Sequence, residues 1–557
     1  MALDNPYAKA FTTHEVENQV PPLSVNVWET DTVLREAVLR EGGGWAEQKL
    51  SSYGKLAGGE MAELAQLANV HKPELLLFDR AGHRLDEVRF HPSYHRLMGL
   101  AIEHGVHNLT WTHAEQEGAN VARMGLFYLH NQADSGTSCP LTMTYASVPA
   151  IRHQPDLAET WVPRILSGSY DPVLRPADRK SGVTVGMGMT EKQGGSDVRS
   201  NATRAYPLEQ PGPGRRYALV GHKWFFSAPM SDLFLVLAQT DAGISCFLLP
   251  RHLPEGPRNA IRIQRLKDKL GDWSNASSEV EFQGAEAFMV GAEGRGIATI
   301  LEMVSLTRQD CMIGSSAQMR QALIQAIHHA RHRAAFGKRL SEQPLMQNVL
   351  ADLALESEAH TALSARLARA VGHSGRDAHE AALSRVVTAI GKYWICKRTP
   401  AFVNEAQECL GGAGYIEESI LARLYRQAPL NSIWEGSGNI QCLDVLRAMR
   451  REPESLQAVF RELESARGGH RALDGEVTRL RDELERAEHL ELRARAIVER
   501  LAVALQAAVL IKAGNPLVSD AWCSSRLLGR HGATFGTLEA DVDRAALIER
   551  ALPSDAS

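Results

Sequence analysis

The stretch GMGMTEKQGGSDVRSNATRA, residues 186–205, joins the end of a strand to a glycine-rich polar turn. Its apolar run ends at Met189 and Thr190, and a Gly-Gly pair ending at Gly195 precedes Ser196. Glycines let main-chain N–H groups approach an anion closely, and a serine hydroxyl can complete the contact. This chemistry suits a pyrophosphate, although a Gly-Gly hairpin turn explains the stretch equally well. The pattern is not a G-x-G-x-x-G at a strand-to-helix turn, so a Rossmann site is not indicated.

The residues around this turn, from 181 to 290, predict a small β-sheet domain. They contain short segments that are rich in β-branched and aromatic residues and separated by turn signals. These segments are GVTVGMGMT, RRYALVGHKWFFSAP, DLFLVLAQT, ISCFLLP, AIRIQRL and SSEVEFQ. The Pro- and Gly-rich segment LEQPGPGRR, residues 208–216, predicts a hairpin-type loop between two of them.

Helical periodicity surrounds the β block on both sides. Residues 36–180 predict an N-terminal helical domain, and residues 1–35, rich in Pro, Asn and Thr, predict an extended arm before it. Long amphipathic stretches in residues 291–450 predict a helix bundle. They cover residues 294–333, 345–371 and 377–410. The expected fold class is therefore α+β and mostly α.

Residues 451–557 predict an additional helical domain. From Arg447 to the end the chain has 17 basic and 18 acidic residues, and sixteen of the basic residues are Arg. Arg is the better bidentate ligand for phosphate. On the charge pattern alone, the alternating charges favour a surface helix laced with salt bridges. Both interpretations are open from the sequence.

The composition is that of an ordinary globular protein. Of 557 residues, 44% are hydrophobic and 23% charged, and a net charge of −5 gives no global argument for nucleic-acid or membrane binding. Seven scattered cysteines without a C-x-x-C fit a reducing cytoplasm. The polar N-terminus is unlike a signal peptide, and the apolar run 501–511 is too short to span a bilayer. We expect a cytoplasmic protein without a membrane segment.

The segment GHKWFFSAP, residues 221–229, carries three consecutive aromatic residues. Neighbouring side chains of a strand face opposite sides. Some of Trp224, Phe225 and Phe226 must therefore meet a second apolar layer or a flat ligand. For this stretch alone, ordinary strand core is the simpler explanation.

The segment NSIWEGSGNI, residues 431–440, places one carboxylate, Glu435, between Trp434 and a glycine-rich turn. Glu435 is either a solvated loop residue or a catalytic base that faces a cofactor. Its immediate neighbours do not distinguish the two.

Together these segments resemble the acyl-CoA dehydrogenase family of flavoproteins. MTEKQGGSD is similar to the family signature M-T-E-x-x-x-G-S-D, with Gln-Gly where Gly-Ala is usual, and KWFFSA is similar to K-x-W-I-T-N. Four further elements occur in the family's order: LKDKLGDWSNASSEVEF, ARHRAAFGKRL, QECLGGAGYIEES and NSIWEGSGNIQ. The resemblance extends from about residue 95 to 450. The N-terminal arm and the C-terminal extension resemble one bacterial subgroup, which belongs to the adaptive response to DNA alkylation.

The resemblance implies an FAD cofactor and a set of residues that contact it. From the β domain these are Met189, Thr190, Gly195, Ser196, Trp224, Phe225 and Ser227. Near Glu435 they are Trp434, Ser437 and Asn439. Family members are homotetramers built as paired dimers, and the residues implied to reach a neighbouring subunit's FAD are Arg333, Phe336, Gln407 and Gly411.

The resemblance also implies the catalytic base. In the family reaction a base takes the α-proton of an acyl-CoA thioester while the β-hydride leaves to flavin N5. That proton is weakly acidic, so the base needs an apolar setting that raises its pKa. Some members carry the base immediately before the arginine that is Arg308 here, but Thr307 holds that position and Glu435 is left as the candidate. The chain also departs from the family at Pro344, where Gln is usual.

The sequence thus predicts an FAD-dependent acyl-CoA dehydrogenase-like protein, weak toward acyl-CoA, of the adaptive response to DNA alkylation. The resemblance adds double-stranded DNA binding through residues 451–557, which would protect DNA or remove alkylating agents, with Arg447 and Arg530 as candidate contacts. One alternative is an ordinary acyl-CoA dehydrogenase of branched- or fatty-acyl catabolism without DNA binding. Another is a non-redox scaffold.

His328 and His332 have the i, i+4 spacing of a helical metal pair. The sequence offers no third ligand nearby. We expect a solvated helix face here and no metal site.

Overall fold

In the computed structural model, which describes residues 16–254, 256–486 and 488–554, helices precede and follow one β domain. The α-helices are α1 (Thr32–Arg40), α2 (Glu47–Ala57), α3 (Glu60–Val70), α4 (Pro92–Glu103), α5 (Leu109–Thr112), α6 (Ala119–Ala133), α7 (Ser138–Arg152), α8 (Pro155–Ile165), α9 (Gly296–His332), α10 (Pro344–His373), α11 (Ala378–Cys409), α12 (Ile420–Gln427), α13 (Gly438–Arg451), α14 (Pro453–Glu464), α15 (Arg471–Glu485), α16 (Leu490–Ala513), α17 (Pro516–Trp522) and α18 (Arg544–Ala551). The strands are β1 (Glu74–Phe78), β2 (Arg84–Arg89), β3 (Val185–Gly188), β4 (Arg204–Pro207), β5 (Arg216–Ser227), β6 (Leu233–Thr240), β7 (Gly243–Pro250), β8 (Ile261–Leu266), β9 (Ser277–Val290), β10 (Ala334–Ala335) and β11 (Lys338–Arg339). The predicted fold class, mostly α with a small β domain, is confirmed.

Strands β3 to β9 form one sheet whose pairings run in a ring. Strand β5 pairs with β9, β9 with β7, and β7 with β6, all antiparallel. From β6 the ring returns to β5 through β3 and β4, each of which runs parallel to β6 and antiparallel to β5. Strand β8 is added on β9. The loop at residues 208–216 connects β4 to β5, in agreement with the hairpin-type prediction.

The helical pattern expected for residues 36–180 is wrong at one place, where β1 and β2 form an antiparallel hairpin. Tertiary contacts hold it: the Ile263 N–H of β8 donates to Asp86 Oδ1 at 2.9 Å, and Arg84 Nη2 donates to the Ile263 oxygen at 2.7 Å. The five-residue run ELLLF is too short to show a period. Its length and the following Asp-x-x-Gly turn were the available strand signals.

The arm expected for residues 1–35 is only partly described. Its first fifteen residues lie outside the described part of the chain, and α1 already begins at Thr32. Asn18 pairs with the turn after α9: its Nδ2 donates to the Ala334 oxygen and its Oδ1 accepts from the Ala334 N–H, both at 2.8 Å. The arm therefore packs on the helix bundle at this point.

The bundle is built from α9, α10 and α11, whose ends lie within two residues of the predicted ones. Helices of the C-terminal segment pack against α10 and α11 through ion pairs at buried positions. Arg526 of that segment pairs with Asp352 and Glu356 of α10, and Arg366 of α10 pairs with Glu462 of α14. Ion pairs from Arg526 and, further along the chain, Arg550 thus hold the segment to α10.

The expectation of a solvated face at His328 and His332 is wrong for His328. Its side chain is buried, and its Nε2 lies 2.8 Å from the Pro21 oxygen, because the N-terminal segment covers this face of α9. No three His, Cys, Asp or Glu residues in the described ranges come together in a way that could hold a metal.

All seven cysteines are free and buried. Among the described residues, no helix combines the length and the apolar character that crossing a bilayer requires.

Candidate active site

A cleft of about 1290 Å³ lies between the β domain and the helix bundle. Both the glycine-rich turn after β3 and the loop before α13 reach it, although they are more than 200 residues apart in sequence. Of the residues predicted to contact FAD or substrate, the cleft is lined by Met189, Thr190, Gly195, Ser196, Phe225, Ser227, Trp434, Glu435 and Ser437. The tertiary structure therefore brings the two candidate segments to one site.

A buried ion pair fixes the glycine-rich turn to the sheet. Lys223 Nζ lies 2.7 Å from Glu191 Oε1, and both side chains are fully buried. Burial opposes the charge on Glu191, but the Lys223 ammonium outweighs it and lowers the pKa of Glu191 to about 2. The Glu191 carboxylate also accepts from the Ala202 N–H at 2.6 Å. The E of MTEKQGGSD and the K of KWFFS are therefore structural partners.

Gly195 stands where a side chain has no room. A Cβ at this position would lie 2.4 Å from Thr190 Oγ1. The glycine keeps the main chain close to Thr190, and both residues face the cleft beside the exposed Ser196. This arrangement leaves main-chain and hydroxyl groups free to meet an anion.

The three consecutive aromatic residues near the end of β5 have different surroundings. Phe226 is fully buried in the sheet core, whereas Phe225 is 50% exposed and lines the cleft. Trp224 does not line the cleft; its ring lies under Lys267 Nζ, 3.7 Å from the centroid. Its main-chain N–H donates to the Thr190 oxygen at 2.8 Å, which joins β5 to the start of the glycine-rich turn.

Glu435 lies in the loop between α12 and α13 with φ +58°, in the left-handed region that non-glycine residues rarely adopt. The side chain of Lys392, on α11, stabilises this conformation through hydrogen bonds to the loop. Its Nζ donates to the main-chain oxygens of Asn431 at 3.0 Å, Trp434 at 2.8 Å and Gly436 at 2.9 Å. A single ammonium group thus gathers the loop around the carboxylate.

Arg308 and Gln441 hold the Glu435 main chain from the other side. Arg308 Nε donates to the Glu435 oxygen at 2.9 Å, and Gln441 Nε2 donates to the same oxygen at 3.1 Å. The Arg308 guanidinium is itself fixed by Asp444, with Nη1 and Oδ2 3.0 Å apart. Gly436 has φ +97°, and a Cβ there would lie 2.8 Å from Gln441 Nε2, so this turn requires glycine.

The Glu435 carboxyl group meets a mainly apolar environment. Its Oε2 is buried and has no hydrogen-bond partner among the described residues. Burial raises the pKa of Glu435, against the opposing effects of the Lys392 ammonium, the Thr307 hydroxyl and the Arg308 guanidinium. The two cations direct their hydrogen bonds to main-chain oxygens instead of the carboxylate, which leaves it available as a proton acceptor.

The remaining residues predicted to contact FAD lie outside this cleft. Arg333 donates to the Asn18 oxygen at 2.5 Å, and Phe336 is 98% exposed with φ +54°. Gln407 is buried and donates to the Gly414 oxygen at 2.8 Å, next to the exposed Gly411. Asn439, in the first turn of α13, is exposed.

The two residues predicted to contact DNA lie in different parts of the structure. Arg447 is exposed near the end of α13 and lines the same cleft as Glu435. Arg530 lies beyond α17, with its Nη1 3.5 Å from Glu539 Oε2.

Lys392, Gln441 and Asp272 are the site residues that sequence reasoning missed. Lys392 and Gln441 contact the loop through main-chain oxygens, and no motif marks such a contact. Asp272 lines the cleft and has φ +51°. In the sequence it directly follows the Lys-Leu-Gly of LKDKLGDW. An Asp directly after a Gly was the one available signal.

The residues present fit an FAD molecule. The exposed Ser196 hydroxyl and the close turn at Gly195 suit a pyrophosphate, and the half-exposed Phe225 offers a flat apolar surface on the same cleft. The unpartnered Glu435 oxygen of the described structure stands in the same cleft, where a base would be needed.

Comparison with known proteins matches three parts of the chain to domains of known families. Residues 18–172 match the N-terminal domain of the adaptive response protein AidB, residues 186–285 the middle domain of acyl-CoA dehydrogenase, and residues 294–450 its C-terminal domain. The chain is 49% identical to the putative acyl-CoA dehydrogenase AidB of Escherichia coli (strain K12) over 94% of its own length and 96% of that protein. It is 30% identical to acyl-CoA dehydrogenase family member 11 of Caenorhabditis elegans over 79% of this chain and 72% of that one. The crystal structure of C. elegans ACDH-11 in complex with C11-CoA superposes with a TM-score of 0.84 at 26% identity, covering 97% of this chain and 93% of that chain.

Proposed function

Because the chain belongs to the acyl-CoA dehydrogenase family, as an FAD-dependent oxidoreductase of that type, we propose that Glu435 is the base that takes the α-proton of an acyl thioester. One observation carries this proposal: within the described structure the Glu435 carboxyl is buried, unpartnered at Oε2, and faces the cleft that the glycine-rich turn also lines. ACDH-11 was solved with a CoA thioester, which supports this class of substrate.

The chain's own residues prepare the proton transfer. Burial raises the pKa of Glu435, so its carboxylate holds the abstracted proton more tightly than an exposed one would. Lys392 and Arg308 fix the loop, which keeps the carboxylate in one position. When FAD is bound, it supplies the acceptor for the β-hydride. General-base participation is typically worth roughly 10²–10⁴-fold in rate.

The test compares Glu435→Gln with Glu159→Gln, an exposed glutamate on α8 away from the cleft. Anaerobic flavin bleaching by short acyl-CoAs is followed at constant FAD content. We expect Glu435→Gln to slow bleaching by at least about 10²-fold and Glu159→Gln to leave it unchanged. Bleaching at the wild-type rate by the Glu435→Gln variant would refute the assignment.

The second candidate function that we propose is double-stranded DNA binding in the response to alkylation. The match of residues 18–172 to the N-terminal domain of the adaptive response protein AidB supports a role in an adaptive response, and the DNA contact rests on the exposed arginines. The arginines at the end of α13, Arg447, Arg450 and Arg451, are exposed, and the Nη1 of Arg447 lies 3.9 Å from Asp444 Oδ1. Many arginines further along the chain are paired with carboxylates; these are Arg479, Arg481, Arg493, Arg500, Arg526, Arg530 and Arg550. We place the DNA contact at the α13 cluster, with Arg530 as a secondary contact.

Removal of the whole C-terminal segment would expose the bundle, because Trp522 and much of α16 are buried. The better test is the triple change Arg447→Ser, Arg450→Ser and Arg451→Ser, with Arg479→Ser as control. Fluorescence anisotropy on a duplex of about 30 bp should show the log–log salt slope falling by about 0.9 for each lost phosphate contact. An unchanged slope in the triple variant would remove the α13 cluster from the candidate surface.

We also propose a homotetramer. Large apolar side chains are exposed among the residues predicted to reach a neighbouring FAD and close to them in the chain: Phe336 (98%), Leu345 (83%) and Tyr415 (81%). Such exposure is typical of subunit contacts. Light scattering should show Phe336→Ser with Leu345→Ser dissociating to smaller species, whereas Leu492→Ser, at an equally exposed leucine (85%) on α16, stays assembled. A tetramer of undiminished stability in the double variant would contradict this interface.

A further inference from the structure

A second, smaller cavity of about 40 Å³ lies behind Glu435. It adjoins the main cleft, since six residues line both: Met187, Ser227, Asp272, Leu430, Trp434 and Glu435. Its far wall comes from α6, α7 and α9, which carry Phe127, Met143 and Gln318 respectively. The part of a ligand that extends beyond Glu435 in the cleft therefore lies next to this cavity.

Most of the accessible surface of the cavity is apolar, although twelve of its nineteen lining residues have polar or charged side chains. Within the described part of the chain, four lining residues have a buried atom without a hydrogen-bond partner: Glu435 Oε2, Asp272 Oδ1, Gln318 Oε1 and Gln427 Nε2. Asp272 is 5% exposed, and Gln318 and Gln427 are each 2% exposed. Buried polar atoms almost always have partners, and those that lack one cost free energy. Four around one small cavity indicate that its occupant is polar.

Two of these groups are an acceptor oxygen and a donor nitrogen. Gln318 Nε2 donates to Ser135 Oγ at 2.7 Å, which fixes the amide and leaves Oε1 as an acceptor. Gln427 offers Nε2 as a donor, which has no partner among the described residues. A hydroxyl group can donate to the first and accept from the second.

Asp272 adds a third polar group at the mouth. Burial is the main cause that raises the pKa of Asp272, to about 7, with the neighbouring Asp134 acting in the same direction. Near neutral pH the carboxyl is therefore often protonated, and it can donate as well as accept.

We propose that this cavity is a recognition subsite for a short acyl group with a hydrogen-bonding end, and that Gln318, Gln427 and Asp272 bind that end. The proposal rests on the function proposed for Glu435, since it describes the part of the same substrate that lies beyond the base. A water molecule needs about 10–15 Å³ of such volume, so the cavity accommodates on the order of three heavy atoms. A long alkyl chain would exceed this space and would leave the polar atoms unpartnered. The substrate class is a short hydroxyacyl thioester.

The test uses two thioesters of equal size, 4-hydroxybutyryl-CoA and pentanoyl-CoA, which differ by a hydroxyl in place of a methyl group. Dissociation constants are measured by calorimetry on FAD-loaded protein carrying Glu435→Gln, so that turnover does not consume the ligand. We expect the hydroxy compound to bind about tenfold more tightly. Addition of Gln318→Met should abolish this preference, and addition of Met143→Leu, an apolar wall residue, should retain it. Equal affinity for the two thioesters, or tighter binding of octanoyl-CoA, would overturn the proposal.

A second measurement separates this inference from the function proposed for Glu435. Crystals of the FAD-loaded protein without thioester should show ordered water bonded to Gln318 and Gln427, and a cavity without ordered water would overturn the subsite. If water is present and the hydroxyl preference holds while Glu435→Gln does not slow bleaching, the subsite stands and the role of Glu435 fails. If Glu435→Gln slows bleaching but the cavity holds no ordered water, the role of Glu435 stands and the subsite fails.

Discussion

Lys392 Nζ donates a 2.8 Å hydrogen bond to the main-chain oxygen of Trp434, the residue before the candidate base. With its further bonds to Asn431 and Gly436, this side chain holds a loop in which Glu435 has φ +58°. A left-handed residue of this kind costs about 1–3 kcal/mol and persists only where its surroundings enforce it. The position of the carboxylate therefore depends on a helix about forty residues earlier in the chain.

Lys392→Met should lower the free energy of unfolding by about 2–4 kcal/mol, because buried carbonyls lose a charged donor. It should also slow flavin bleaching by about 10²-fold through displacement of Glu435. Lys397→Met, at an exposed position on the same helix, is the control and should behave as wild type. Stopped-flow absorbance and chemical denaturation check the two effects, and a wild-type bleaching rate in Lys392→Met would show that the loop keeps its shape without the ammonium.

Glu191→Gln should lower the free energy of unfolding by about 3–5 kcal/mol, because it leaves the Lys223 ammonium buried without its counter-ion. The double change Glu191→Gln with Lys223→Met removes both charges and should recover part of that loss. Calorimetric melting measures the stability of the two variants. The control is Glu281→Gln, at an exposed glutamate of β9, which should melt as wild type does. A double variant less stable than Glu191→Gln would mean that Lys223 acts mainly through its bond to the Leu237 oxygen.

Gly195→Ala should weaken FAD retention about tenfold or more, since the new Cβ would lie 2.4 Å from Thr190 Oγ1 and displace the turn. The measurement is the ratio of flavin to protein absorbance after dialysis, with the dissociation constant from reconstitution. Gly168→Ala, where a Cβ meets nothing within 4 Å, should retain full FAD. Full retention by Gly195→Ala would move the pyrophosphate contact away from this turn.

Thr307→Glu should partly rescue Glu435→Gln. Both positions line the small cavity, and the Thr307 hydroxyl is close enough to the Glu435 carboxyl to lower its pKa. A carboxylate at 307 would therefore reach the same substrate, and we expect at least about tenfold recovery of the bleaching rate. Thr307→Gln in the same background adds no base and should recover nothing. Equal rates for the Glu and Gln versions would show that position 307 does not reach the α-proton.

Because its pKa is raised in the folded protein, Asp272 should make the free energy of unfolding depend on pH. Its pKa is raised to about 7 in the folded protein, against about 3.9 in an unfolded chain. Between these values the folded state binds more protons, so this contribution to stability falls as the pH rises, by up to about 1.4 kcal/mol per unit, and levels off above about pH 7. The free energy of unfolding of wild type minus that of Asp272→Asn should fall between about pH 5 and 7. A difference that is flat over this range would place the Asp272 pKa near its ordinary value.

Local patterns in the sequence were enough for the fold class and for the long helices α9, α10 and α11. In a long helix the apolar residues repeat with the same spacing over many consecutive turns. Tertiary contacts rarely override a pattern that extends over so many residues. The β1–β2 hairpin could not be predicted from such a pattern. A run of five residues shows too little periodicity, and its strands depend on contacts with β8.

The family resemblance of MTEKQGGSD, KWFFS and NSIWEGSGNI predicted which segments contribute to the candidate site, and residues of all three line one cleft. The surroundings of Glu435 came from tertiary packing: the Lys392 ammonium under the loop, the Arg308 guanidinium on its main-chain oxygen, and the small cavity that Asp272 and Gln318 share with it. These groups come from elements far apart in the chain and meet through main-chain oxygens and cavity walls. Such contacts leave no periodicity or motif behind, because they depend on three-dimensional packing and not on residue order.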